Sequence, residues 1–469
     1  MPVNLIILSL TVGLILVGWG ALLSPPFESI RNVLNIQLPP DGRAVMIGGQ
    51  EVAAICNPDP AACQAYLSRL VFLYHSVFAI VLAMVVYAAA VVFDFNNEYR
   101  KPVLALTTMG YLMTVVGGIL YGYWIQDLSL HGIFITGLAL MFGAGLLFVL
   151  GIRVRENGKI DLLSLNLLLA AALLLVTSFI GGWLGANQPT MGNALGEAVA
   201  LARRNPDLGE GSLPWRAMTV HQHGMVAILG AAVTFLLFKH FKVNSESKLI
   251  KTSLVLAAVG QLIMAGAVWL VVPYGSPAHL AITPASVVLL TAVGLICLAD
   301  LTTRAKLIGV KSLLTKDLKR ATSYLLVLGI WPAVAIPGAM VAISLRNPIF
   351  FKPEFRDSVW DWAENAFSIG HWHILIFIFG ATLFILFLDL FGSGRLRNVT
   401  AGLMGASALA ASIMTNLYML PASPRMYIPN PYNNSILTYF VEPALGAFSL
   451  SLVLGYVSIL GRFMKAVTT

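Results

Sequence analysis

Five of the eight histidines in this 469-residue chain stand in stretches where charge is scarce. His75 occurs in FLYHSVFAIV, His221 and His223 in TVHQHGMVAIL, and His371 and His373 in GHWHILIFIF. A neutral imidazole brings no net charge into apolar surroundings, and it is a common protein ligand for metal ions and for haem iron. The spacing within each pair then limits what the pair can do. On an α-helix, positions i and i+2 point about 200° apart, so the two rings of one HxH face opposite sides of their helix. Each HxH is therefore suited to two different cavities rather than to chelating one ion. A chelating pair on a single helix would need i and i+4, as in HExxH, and no such motif occurs.

The elements that must carry these rings are membrane spans. Hydrophobic residues make up 58% of the chain and charged residues 11%, with a mean hydropathy of +0.83, all outside the range of soluble domains. Twelve apolar runs are long enough to cross about 30 Å of hydrocarbon. They cover 3–24, 67–93, 102–124, 130–152, 161–185, 217–241, 249–272, 280–302, 321–344, 365–391, 398–420 and 436–461. The first lacks a basic leader and a small-residue cleavage site, so it reads as a retained span. The expected fold is an all-α integral membrane domain over 1–469, with twelve transmembrane helices. Histidines at matching depth in spans two, six and ten predict three pseudo-symmetric four-helix repeats, approximately 1–155, 156–305 and 306–469.

Basic residues orient the chain. Alternate connections hold 19 of the 29 Lys and Arg, including RVRENGK and RAKLIGVKSLLTKDLKR, and this side is expected to be cytoplasmic. Both termini then lie inside, and the histidines of spans two, six and ten lie near the outer face. The net charge of +8 is accounted for by this anchoring and gives no sign of nucleic-acid binding. Cys56 and Cys63 fall in the first outer loop, a disulfide-permissive place, whereas Cys297 is within a span. No CxxC or CxxCH is present, which argues against a zinc ribbon or covalently attached haem.

In four respects the sequence resembles the haem-copper oxidase superfamily, whose catalytic subunits include those of cytochrome oxidases and nitric oxide reductases. These are twelve spans with both ends inside, a histidine in span two, HWH opening span ten, and PRMYIPNPY at 424–432 between spans eleven and twelve. That stretch is similar to the family's propionate-pairing Pro-Arg-Arg-Tyr loop. The resemblance implies that His75 and His373 are axial ligands of a low-spin haem, that His371 is the proximal ligand of a second haem, and that Arg425 pairs with a propionate. Met426 stands in place of the loop's second arginine, and Arg69 and Arg216, just before the histidine-bearing turns, are candidates to share that work. Two b-type haems are the expected cofactors.

The departures are equally specific. Span seven, SLVLAAVGQLIMAGAVWLVV, lacks the family's His-His pair, span six has no His-Pro-Glu-Val, and span eight has no lysine. Span six carries HQH instead, and threefold analogy sets His223 opposite His371 and gives His221 the remaining cavity. Two uses of His223 stay open. It closes the second haem as a distal ligand, or it holds copper or non-haem iron with partners such as Gln261, Tyr74 or Glu442. The first makes the chain a respiratory electron-transfer subunit. It would link quinol, or an external cytochrome or cupredoxin, to other subunits. The second makes it a terminal reductase of O₂ or NO. A proton-coupled transporter is disfavoured, because polar residues are scarce at mid-depth and the histidines cluster at one edge; Pro332 and Pro337 mark the one candidate kink.

The other features read more simply. His131 and His279 open spans four and eight as interfacial anchors, and His240 belongs to the inner basic cluster. Asp361, Glu364 and Glu442 are interfacial acids on any outer proton route, while Trp215, Trp360 and Trp362 suit the headgroup belt and a donor-docking platform. A prokaryotic plasma membrane is the location this reading implies.

Overall fold

The computed structural model describes residues 2–23, 27–36, 60–125, 127–156, 158–186, 213–275, 278–330, 358–419 and 438–468. Nearly all of this is helix, and a helix meets each of the twelve expected apolar runs. The first half comprises α1 Pro2–Leu22, α2 Glu28–Val33, α3 Pro60–Val92, α4 Asn97–Tyr123, α5 Leu128–Gly151 and α6 Leu162–Ala186. It continues with α7 Leu213–His240, α8 Lys248–Trp269, α9 Val271–Tyr274 and α10 His279–Ile308. Then follow α11 Val310–Lys316, α12 Leu318–Ile330, α13 Ser358–Phe391, α14 Gly394–Met419 and α15 Thr438–Thr468. The ninth run is helical through Ile330, and its remainder, with Pro332 and Pro337, lies outside the described residues.

Nine helices among the described residues are long and apolar enough to cross a bilayer, which makes this a multi-pass membrane protein. The reason is the solvent: hydrocarbon offers no partner to backbone N–H and C=O groups, so each crossing must satisfy them within the helix. Side chains such as Ile15, Met109, Val116, Phe179 and Val457 are exposed on these helices, as lipid-facing positions should be. The sixth span is different. Its apolar window in Val220–His240 is 78% buried, against 22% for the first span, so the HQH helix is an interior one.

Polar residues set the helix starts. Asn96 accepts from Glu98 N at 3.2 Å before α4, Asp127 from Ser129 N at 2.7 Å before α5, and Asp161 from Leu163 N at 3.1 Å before α6. Two small elements fall in connections that the sequence shows only as loops. Helix α2 turns the buried Arg31 back so that its Nη1 donates to Leu22 O at 3.0 Å, satisfying a carbonyl at the end of α1. The basic loop after α5 forms an antiparallel hairpin, β1 Arg155–Glu156 with β2 Lys159–Ile160, turned at Gly158, whose φ of 78° suits glycine.

The chain divides into two compact units. The first comprises Met1–Arg153, Ala171–Met225 and Trp269–Gly275. In it α1 packs on α3, α3 on α4 and α4 on α5. The α4–α5 approach is backbone to backbone: a Cβ on Gly137 would stand 2.5 Å from Thr114 N. Small residues allow this kind of contact where lipid supplies no hydrophobic drive for helix association.

The second unit comprises Val154–Ala170, Val226–Val268 and Ser276–Thr469. In it α10 packs on α12, α12 on α13 and α14, α13 on α14, and α14 on α15. Among the described residues, several of its charged groups pair at the helix ends that carry the basic connections. Asp161 accepts from Lys239 Nζ at 2.6 Å and from Ser164 Oγ at 2.5 Å. Asp389 binds His240 Nε2 at 2.9 Å and pairs with Lys319, and Arg320 pairs with Asp300 at 3.4 Å.

Candidate functional site

His75 of the second span and His221 of the sixth come together in the first unit. The rings of His75, on α3, and His221, on α7, are nearly parallel, with 14° between their planes and 5.9 Å between their centres. His221 is fixed from behind by α6. Its Nδ1 lies 3.0 Å from the backbone oxygen of Thr177, and a carbonyl can only accept, so Nδ1 carries the proton. In the neutral ring the lone pair is then on Nε2. An outward hydrogen bond from one ring nitrogen to a carbonyl is how proteins orient an imidazole that ligates a metal through the other.

The backbone of α6 makes room for this ring. A Cβ on Gly181, one turn after Thr177, would stand 2.5 Å from His221 Cε1. On the α7 side a Cβ on Gly224 would meet Thr177 Cγ2 at 2.4 Å, and Met225 Sδ accepts from Thr177 Oγ1 and Ser178 Oγ, both at 3.5 Å. His221, Gly224 and Met225 are i, i+3 and i+4, one face of α7 laid against α6. His223 is about 200° around the helix from His221, as the HxH geometry requires.

An aromatic cluster adjoins His75 through Phe134. Phe134, 3% exposed, meets His75 edge-on at 5.9 Å. Phe72 and Tyr121 continue the cluster, and His131 packs on Tyr121 at 5.3 Å between ring centres. Its Nε2 is buried and has no hydrogen-bond partner among the described residues. The result is a run of rings from His131 through Phe134 and His75 to His221.

Of the remaining expected residues, Arg216 is placed and engaged: its Nη1 donates to Val272 O at 2.9 Å and to Pro273 O at 3.2 Å, holding the end of α9. Gln261 is fully buried in the second unit, where its Nε2 donates to Asn166 Oδ1 at 2.9 Å and Asn166 Nδ2 donates to Leu254 O at 3.0 Å. Tyr74 is 40% exposed on α3. His240, expected in the basic cluster, is there and bonded to Asp389. Cys297 is buried as a free thiol.

His371 and His373 belong to α13, but their side chains lie outside the described residues. The same holds for the side chains of Cys63, Arg69, Trp215, His279, Trp360, Asp361, Trp362, Glu364 and Glu442, and for Cys56, Arg425 and Met426 altogether.

Sequence reasoning did not single out Thr177 and Gly181. In LLLVTSFIGGWLG they read as small residues in an aliphatic span. Their one signal is the i, i+4 spacing, which places a carbonyl and a gap on one helix face.

Among the described residues no group of three or more His, Cys, Asp or Glu is arranged to hold a bare ion. The site is a two-imidazole arrangement in apolar walls, which suits a cofactor that brings most of its own ligands. No protein-family model matches the chain, and neither a curated protein nor a solved structure is significantly similar to it.

Proposed function

We propose that the chain is a haem-bearing respiratory membrane oxidoreductase subunit of haem-copper-oxidase-like fold. It passes electrons through b-type haems ligated by histidines of spans two, six and ten near the outer face. The observation that carries this reading is the His75–His221 pair, from two separate spans, in which one ring has its proton held away from its partner atom by Thr177 O. Apolar burial keeps imidazole neutral and so keeps a lone pair for iron. Phe134, Phe72 and Tyr121 keep water from the His75 side, and a dry, low-dielectric surround raises the cost of holding net charge on a cofactor.

The twelve-crossing, three-repeat plan belongs to the same proposal. Its support is a recurrence of packing order: α1 on α3, α3 on α4, α4 on α5 and α3 on α5 in the first unit, and α12 on α13, α13 on α14, α14 on α15 and α13 on α15 in the second. Both termini are cytoplasmic in this plan.

Bound haem supplies a one-electron couple at the iron. The chain's own residues supply axial nitrogen, orientation and exclusion of water. In this reading His371 and His223 would hold the second haem, and Arg425, with Arg69 and Arg216, would pair with propionates. Quinol or an external cytochrome or cupredoxin delivers the electrons, and other subunits receive them. The test is the haem content and optical spectrum of the purified protein with His75→Ala and with His371→Ala. Each substitution is expected to remove or open one haem, and full haem content in both would overturn the ligand assignment.

A further inference from the structure

We infer that His221 is the second axial ligand of the iron that His75 binds, in the place the family resemblance gives to His373. This rests on the haem reading above and names the pair of helices that holds one of the haems. Three features of the first unit carry it. The first is separation. Two imidazoles that share one metal stand with ring centres about 6 Å apart, since each metal–nitrogen bond is about 2 Å and each nitrogen is about 1 Å from its ring centre. His75 and His221 are at 5.9 Å.

The second is the tautomer. Thr177 O takes the Nδ1 proton of His221 and leaves Nε2 as the donor atom. The third is the clearance at Gly181, where any side chain would strike the ring at Cε1, between its two nitrogens. Together, Thr177 and Gly181 act as positioning residues: they fix where the ring stands and which nitrogen is available without touching the iron. The 14° between the ring planes adds a spectroscopic consequence. Near-parallel axial imidazoles give a rhombic low-spin ferric EPR signal, whereas crossed planes give a single strongly anisotropic feature.

The experiment uses the full-length purified protein and four variants: His75→Ala, His221→Ala, His221→Met and His373→Ala. Haem is quantified as its pyridine adduct, bound copper, zinc and iron are counted, and low-temperature EPR is recorded on the oxidised form. The expected result is loss of the same rhombic low-spin signal in His75→Ala and His221→Ala, and its retention in His373→Ala. His221→Met keeps a ligating side chain, so that haem is retained with a shifted spectrum and a higher reduction potential, which separates lost ligation from a lost fold. If His75→Ala and His373→Ala remove one and the same haem while both His221 variants leave it unaltered, the pairing is wrong and the haem reading stands. Loss of bound copper or zinc in the His75 and His221 variants with haem content intact also overturns it. A wild-type protein without haem overturns the reading beneath it.

Discussion

At the residue scale, the candidate site depends on how one imidazole, that of His221, is held. The HxH spacing was legible because helical periodicity alone sends the two rings to opposite sides, and His221 and His223 sit on one continuous helix as that requires. What held His221 was not legible, since a backbone carbonyl has no sequence signature and Gly181 resembles any packing glycine. Gly181 therefore gives the sharpest residue-level prediction. Gly181→Ala puts a methyl 2.5 Å from His221 Cε1, while Gly182→Ala meets nothing within 4 Å. Gly181→Ala should lower or shift the signal of the haem proposed at His75, and Gly182→Ala should leave it as in the wild type; the optical difference spectrum of the two purified variants checks this. Equal spectra would mean that the ring position does not matter to the cofactor.

At the element scale, stability at the helix ends depends on paired charge. Burial raises the pKa of the Asp161 carboxyl, but hydrogen bonds from Lys239 and Ser164 and the Lys239 charge outweigh it and hold the group below its usual value. An acid whose pKa is depressed on folding adds stability above its unfolded pKa, about 3.9, and loses it as pH falls through the folded value. Thermal midpoints in detergent should therefore drop below about pH 4, and Asp161→Asn should remove that part of the acid limb. At pH 7 the same variant takes the carboxylate charge from beside Lys239 and exchanges a charge-assisted hydrogen bond for a weaker one, which should cost about 1–3 kcal/mol. At the α4–α5 crossing, Gly137→Ala forces a methyl into Thr114 N and should destabilise by about 1–3 kcal/mol, read as a lowered unfolding midpoint. The spans themselves were legible because a bilayer demands long, uninterrupted apolar helices. The hairpin at Arg155–Ile160 and the short α2 were not, because elements of two to six residues have too little periodicity to show.

At the scale of the whole molecule, composition made the multi-pass class plain, and the nine long apolar helices among the described residues agree with it. The sidedness of the chain comes from its basic connections and is open to direct test. Reporter fusions after residues 157 and 245 should report cytoplasm, and one after residue 200 should report the outer side; the opposite pattern would invert the protein and move the histidines to the inner face. Less of the candidate site was legible than of the fold. The family-like motifs pair His75 with His373 by resemblance alone, whereas the His75–His221 approach is a matter of three-dimensional packing between α3, α6 and α7.

As proposed, the protein carries low-spin haem closed by histidine on both faces. The most direct measurement is the optical and low-temperature EPR spectrum of the purified wild-type protein, with and without CO added to the reduced form, alongside a metal count. The expected result is about two haems per chain, low-spin signals only, no copper and no response to CO, because an iron with two axial imidazoles has no open position. High-spin haem with a CO-induced shift would contradict it and would make the chain a terminal reductase with an open haem face.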